Sequence, residues 1–230
     1  MGSKKLKICV AGATGWTGSA LVAAILKSTD FELSAAVSRS AAGKDIGEVL
    51  KLPKTGILTC ASVAEALNDT ATDILIDYTS SSIVKANAIH ALNQGVRVVI
   101  GTSGLTADDY AELQLLAERK SLGVIAAGNF SITAALAKHF SLLAAEYLPQ
   151  REIIDYAHAE KLDVPSGTVR ELAETLAKVS DNKLGRPVNE LNGPKDARGA
   201  NIAGTQVHSV RLPSYVIAFE TIFGDRKSVV

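Results

Sequence analysis

Short, uninterrupted apolar runs recur through the first 128 positions, with amphipathic segments of about a dozen residues between them. KICVA (7–11), ELSAAVS (32–38), DILIDY (73–78), VRVVIG (96–101) and GVIAAG (123–128) read as strands, and GILTC (56–60) as a shorter one. Runs without polar alternation are expected where both sheet faces are covered. SALVAAILKS, after Gly18, reads as a helix. Ser62 and Glu65 form a capping box that opens a short helix through Leu67. Thr79 to Ser82 can cap the next helix, which stops at Gly95, and Thr106 with Asp109 opens another that runs to about Lys120. Strands alternating with helices predict an α/β fold with a doubly wound parallel sheet of Rossmann type over residues 1–128.

The pattern changes at Asn129. SITAALAKHFSLLAAEY (131–147) predicts a long helix, apolar around most of its circumference and ended by Pro149. EIIDYAHAEK (152–161) reads as a strand, and a further helix begins near Thr168. TQVHSVRL (205–212) and YVIAFETIFG (215–224) alternate apolar and polar residues around a turn at Pro213-Ser214, which predicts an antiparallel pair. Residues 129–230 are therefore expected to form a second, α+β domain.

Composition narrows the function. Hydrophobic residues make up 47% and charged residues 21% of the 230, the balance of a globular protein with its own core. Lys plus Arg is 24 and Asp plus Glu is 24, and this neutrality argues against a protein built around nucleic-acid binding. Cys9 and Cys60 are too few for a disulfide framework, and no Cys/His spacing suggests a metal site. No apolar run approaches the ~18 residues of a membrane span. MGSKKLKICV has too short an apolar stretch for a signal peptide. The expectation is a cytoplasmic protein with no metal, nucleic-acid or membrane partner.

Gly12-Ala-Thr14-Gly15-Trp16-Thr17-Gly18 stands at the first strand-to-helix turn. Gly12 permits the tight turn, Gly15 lets the backbone approach a pyrophosphate, and Gly18 brings helix and strand together; the helix start offers free N–H groups to the phosphates. At the end of the second strand, where a carboxylate would select NAD, the chain has Ser38-Arg39. Arg39 can pair with a 2′-phosphate and Ser38 can donate to it, with Lys44 as a further contact, so NADPH is expected over NADH; the alternative is a solvated loop arginine. Tyr78-Thr79, Gly101-Thr102-Ser103-Gly104 and Asn129-Phe130 follow later strands, where such sheets bind ligands. Trp16 either edges the cofactor or packs over the turn. His90 and His139 fall within helices, and His208 pairs structurally on its strand beside Arg211.

The densest chemistry is His158-Ala-Glu-Lys161-Leu-Asp163-Val-Pro165-Ser166-Gly167-Thr168. Ser166, Gly167 and Thr168 present hydroxyls and N–H groups at a helix start, which with Lys161 upstream suits a small carboxylic acid. Thr168 and Glu171 also make a capping box, a plainer role for the threonine.

With these motifs the chain resembles the 4-hydroxy-tetrahydrodipicolinate reductase (dihydrodipicolinate reductase) family of lysine and diaminopimelate biosynthesis. The resemblance rests on the glycine motif, Gly101-Thr102-Ser103-Gly104, Asn129-Phe130-Ser131, Glu152-Ile153-Ile154 and above all Lys161-x-Asp163-x-Pro165-Ser166-Gly167-Thr168. It implies a Rossmann domain, a mixed substrate and oligomerisation domain, a homotetramer, and hydride transfer from NAD(P)H to a cyclic unsaturated imine dicarboxylate. It further implies that Lys161 donates the proton and that Ser103, Ser166, Gly167 and Thr168 hold substrate carboxylates. His158, matching the family's second histidine, can assist or hydrogen-bond a carboxylate, the alternative being a strand histidine pointing away from the cleft.

Two departures accompany the resemblance. The family has a His-His pair ahead of the lysine, and here Ala157 takes the first position, the one assigned to catalysis. That leaves open a different imine or conjugated acid as substrate, or an NADPH-binding sensor without catalysis. The family also continues past a segment like FGDRKSVV into a helix that returns to the nucleotide domain, whereas this sequence stops at Val230. The glycine motif also resembles that of acylphosphate-reducing semialdehyde dehydrogenases, but neither Cys9 nor Cys60 is placed to be their nucleophile.

Overall fold

The apolar runs of the first half build one parallel sheet. In the computed structural model, which describes residues 4–225, the chain divides into two compact units that meet between Gly128 and Asn129. The first contains β1 (Leu6–Ala11), α1 (Trp16–Lys27), β2 (Phe31–Val37), α2 (Ile46–Val49), β3 (Thr59–Cys60), α3 (Val63–Asp69), β4 (Ile74–Asp77), α4 (Val84–Asn93), β5 (Arg97–Ile100), α5 (Ala107–Lys120) and β6 (Val124–Ala126). Strand order is β3-β2-β1-β4-β5-β6, all parallel. The order reverses between β1 and β4, the switch point beside which such sheets bind ligands. Helices cover both faces: Val63, Ala66, Val84, Ala88, Leu92 and Leu113 pack on one, Val22, Ile25 and Ile46 on the other.

Local signals hold with small shifts. Thr106 and Asp109 form the expected capping box, each bonding the other's backbone N–H. Ser62 accepts from Glu65 N, but the Glu65 carboxylate reaches Ala61 N, so that box closes one residue early. GILTC pairs in the sheet only through Thr59 and Cys60. Residues 79–82 do not cap α4, whose N-cap is Ile83 without a side-chain bond, because Thr79 is drawn to Asp77.

The second unit contains α6 (Ile132–Ala145), β7 (Gln150–Ala157), α7 (Gly167–Val179), β8 (Ala200–Ile202), β9 (Thr205–Arg211) and β10 (Ile217–Gly224). Its sheet order, β10-β7-β9-β8, corrects the expected pairing of 205–212 with 215–224. β7 lies between them, antiparallel to β10 and parallel to β9, so the link at Pro213-Ser214 crosses the end of β7 rather than forming a hairpin. The hairpin partner of β9 is the short β8, joined through Ala203 and Gly204, both at positive φ as the tight hairpin turn requires. Arg151, Ile153, Asp155 and Ala157 alternate onto the buried face of β7. Val169, Leu172, Ala173 and Leu176 of α7 pack with Ile153, at the i, i+3, i+4, i+7 spacing of one helix face. Arg151 closes the far end of α7, its Nη2 donating to Leu176 O and Ser180 O. The expectation for the end of the chain falls largely on residues 226–230, outside the described residues.

Candidate active site

In the first unit the glycines act as their positions require. A Cβ on Gly12, at φ +79°, would stand 2.1 Å from Tyr78 O, and one on Gly18 would stand 2.0 Å from Gly12 O. Strand, turn and helix therefore close to contact that no side chain survives. α1 begins at Trp16 with Gly15 as N-cap, no side-chain cap bond and no acidic residue in its first turn, which leaves its N–H groups for an anion. Trp16 is 82% exposed, which removes the alternative of packing over the turn. Thr17 beside it is exposed as well.

At the end of β2 the Ser38 hydroxyl is buried and shared, 2.7 Å from Thr14 Oγ1 and 3.3 Å from Ser40 Oγ. Arg39, next in the chain, and Lys44 are exposed cations. The loops after β4 and β5 are tied by Asp77, fully buried, which accepts from Thr79 N and Oγ1, Thr102 Oγ1 and Asn87 Nδ2. Tyr78 lies across Gly101, where an added Cβ would stand 2.1 Å from the Tyr78 ring carbon bearing the hydroxyl. Burial raises the Tyr78 phenol above its ordinary range. Ser103 stands exposed beyond Thr102. Burial pushes the Cys9 thiol up to about 12, with Cys60 and Asp77 adding to it, so this thiol is inert as a nucleophile.

In the second unit Asn129 Oδ1 accepts from Ser131 N at the start of α6, and Phe130 beside it is 46% exposed. β7 ends at Ala157, fully buried on the face of Ile153 and Asp155, so the first-histidine position carries no polar group. His158 follows in the loop rather than on the strand, exposed, its Nδ1 accepting from Glu160 N. Lys161 Nζ is 2.7 Å from Asp163 Oδ1. Ser166 is turned inward: its N–H and its hydroxyl both donate to Asp155 at 2.8 Å. α7 starts at Gly167, so Thr168 is buried in its first turn and is not the N-cap. The expected Thr168–Glu171 capping box is therefore absent, and Glu171 pairs with Lys138 instead. Gly167 is exposed at the helix start.

Asp155 was not singled out from sequence. It is fully buried, and besides Ser166 it accepts from Arg211 Nη2 at 2.7 Å. Arg211 also donates to Asp163 O, which ties β9 to the loop ahead of α7. The available signal was parity, since Asp155 alternates with Ile153 and Ala157 toward the covered face. His208 Nε2 is 2.7 Å from Glu152 Oε2, and Glu152 also pairs with Arg198, the structural role expected of that histidine. Among the described residues no cluster of three His, Cys, Asp or Glu could hold a metal ion.

Residues 6–130 match the family described as dihydrodipicolinate reductase, N-terminus, and residues 129–230 the one described as dihydrodipicolinate reductase, C-terminus. The chain is 38% identical to 4-hydroxy-tetrahydrodipicolinate reductase of Bacillus pumilus, over 97% of this chain and 84% of that protein. It is likewise 38% identical to the Desulfitobacterium hafniense protein of that name, over 96% and 83%. Among solved structures it is similar to dipicolinate-bound dihydrodipicolinate reductase from Paenisporosarcina sp. TG-14, with a TM-score of 0.79 and 32% identity over 99% of this chain and 86% of that one. A likeness of fold alone extends to scyllo-inositol dehydrogenase from Lactobacillus casei, at a TM-score of 0.64 and 14% identity over 100% and 75% of the two chains.

Proposed function

The chain belongs to the dihydrodipicolinate reductase family and is an NAD(P)H-dependent oxidoreductase of lysine and diaminopimelate biosynthesis, and we propose the residues by which it works. The substrate is a cyclic unsaturated imine dicarboxylate, dihydrodipicolinate, which becomes tetrahydrodipicolinate. The observation that carries the site assignment is the Lys161 ammonium, 2.7 Å from the Asp163 carboxylate and a few residues ahead of an α7 start whose N-cap Ser166 makes no side-chain cap bond.

The residues present fit a dinucleotide, since the close approach at Gly12 and Gly18 and the uncapped first turn of α1 form a cradle for its phosphates. When bound, the reduced nicotinamide supplies the hydride. Gly12, Thr14, Gly15, Trp16 and Thr17 hold the pyrophosphate side, and Tyr78, Thr79, Gly101, Thr102, Asn129 and Phe130 the nicotinamide side. Arg39 with the Ser38 hydroxyl favours a 2′-phosphate, hence NADPH over NADH. Lys161 carries the proton at Nζ and delivers it to the atom left electron-rich when hydride adds to the C=C–C=N system. Gly167 N–H, with His158 and the first turn at Thr168, binds substrate carboxylate; Ser103 is assigned to the substrate on its own account. Ser166 serves the same end indirectly, by fixing the start of α7 on Asp155.

Ala157 favours a second reading of the substrate, a related cyclic imine, because a buried methyl replaces an imidazole there. We also place the protein in the cytoplasm as a homotetramer. Among the described residues no helix is long and apolar enough to cross a membrane. Ile132, Leu136, Phe140 and Leu143 form an exposed apolar stripe along α6, which further copies of the chain would cover.

The test is NADPH oxidation by the purified protein with enzymatically generated dihydrodipicolinate precursor, beside a panel of cyclic imines. Turnover of the precursor that falls ~10²–10⁴-fold in Lys161→Ala supports the assignment. Turnover of another imine alone transfers the assignment to that substrate, and turnover of none overturns it.

A further inference from the structure

Asp163 stands on the donors assigned above to a substrate carboxylate. Its Oδ1 is 2.7 Å from Lys161 Nζ. Burial pushes the Asp163 carboxyl up, but Lys161 and the backbone amides of Asp163 itself and Gly167 outweigh it and hold the group below the usual aspartate range. The carboxylate thus pairs with the ammonium a few residues ahead of the helix start. The Ser166 hydroxyl is bound to Asp155 and makes no cap bond at the start of α7.

The backbone and the side chain of Asp163 are held differently. Its carbonyl accepts from Arg211 Nη2 at 2.9 Å, and Arg211 is itself pinned by buried Asp155. Its side chain is 46% exposed, between the exposed Leu162 and Val164. A change of side-chain rotamer therefore carries the carboxylate into water while the loop backbone stays in place.

We propose that Asp163 is an internal competitor for the substrate-carboxylate seat: a displaceable occupant of Lys161 that an incoming dicarboxylate must expel. The proposal rests on the reading of that seat given above. One ammonium suits one carboxylate, and two carboxylates held together on it would repel. The occupant keeps Lys161 aimed at the seat between turnovers and lowers the affinity for anions, which speeds release of a dicarboxylate product.

The experiment is isothermal titration of the full chain with dipicolinate (pyridine-2,6-dicarboxylate) for the wild type, Asp163→Asn, Asp163→Ser and Lys161→Ala. Both Asp163 variants keep a polar side chain but lose the charge. Competition predicts that both bind dipicolinate more tightly, by roughly three- to five-fold, the range set by a partly exposed ion pair. KM for the substrate should fall with them. Unchanged or weaker binding in folded Asp163 variants, while Lys161→Ala abolishes binding, overturns the competitor and leaves the seat standing. Failure of both variants to fold also overturns it, because a carboxylate needed for folding is not displaceable. Wild-type affinity that persists in Lys161→Ala overturns the reading of the seat itself, and the competitor with it.

Discussion

The carboxylate of Asp155 accepts both the backbone N–H and the hydroxyl of Ser166, each at 2.8 Å, inside a unit where Asp155 has no exposed surface. Arg211 neutralises the same carboxylate at 2.7 Å, so three elements meet on one charge: β7, β9 and the start of α7. Asp155→Ala would leave the Arg211 guanidinium without its carboxylate and Ser166 without its acceptor. Breaking such a pair from one side costs about 3–5 kcal/mol, so the urea midpoint should fall steeply. Asp155→Asn keeps the size and an acceptor oxygen, and should lose less stability while still weakening dipicolinate binding through the loosened helix start. An Asp155→Ala midpoint within error of wild type would remove Asp155 from this role.

Gly101 gives a sharper test of the loops after β4 and β5. A Cβ there enters the Tyr78 ring, so Gly101→Ala must expel that ring from its place over the strand end. Cofactor affinity should fall about ten-fold or more, since misplaced contacts of even 1 Å can be that costly. The double variant Gly101→Ala/Tyr78→Ala should recover part of the stability, because the clash is with the ring. Equal loss in single and double variants, read by thermal melts and NADPH titration, would show that the ring is not what the methyl displaces.

The parallel sheet was legible because its signals are local: apolar runs, a glycine turn, and capping residues such as Thr106 and Asp109. The second sheet was less so. β9 and β10 carry the alternation and turn residues of a hairpin, but β7, earlier in the chain, takes the place between them, and no local pattern reports that. β8, at three residues, is too short to show a period. The Lys161–Thr168 segment reads as an anion site from residue types alone. The division of labour inside it does not follow from them, since only the fold turns Ser166 toward Asp155 and leaves Gly167 outward.

The proposed preference for NADPH rests on Arg39 and the Ser38 hydroxyl. If they read the 2′-phosphate, Arg39→Ala should lower the NADPH-over-NADH ratio of kcat/KM by about 10–100-fold, the worth of one charge-assisted hydrogen bond. kcat with saturating NADPH should change little, because this contact is the same in ground and transition states. A ratio unchanged in Arg39→Ala would return Arg39 to a solvated loop arginine.

Trp16, the one tryptophan of the chain, reports on its own loop. At 82% exposure its emission should be red-shifted and readily quenched by acrylamide in the free protein. NADP+, which lacks the absorbance of the reduced ring at the tryptophan emission, should protect it from acrylamide if the dinucleotide lies against α1. Quenching that is the same with and without saturating NADP+ would remove Trp16 from the cofactor contacts.

Acid stability follows from the start of α5. Lys85 Nζ is 2.7 Å from Asp109 Oδ1, and Asp109 Oδ2 accepts from Thr106 N at 2.9 Å. The lysine first, then the Thr106 amide and hydroxyl, hold the Asp109 carboxyl at about 2, below its ordinary value of 3.8. A carboxylate whose acidity is strengthened by folding stabilises the fold above its unfolded-state pKa and loses that contribution as pH falls through the folded-state value. The Asp109 contribution is therefore complete at neutral pH and disappears between about pH 5 and pH 2. Asp45 and Glu152, also held low by hydrogen-bond donors, act in the same direction. Asp109→Asn should lower the urea midpoint at pH 7 and flatten its decline below pH 5, so that the two proteins converge near pH 2. Parallel wild-type and variant curves across that range would show that Asp109 titrates alike in the folded and unfolded chains.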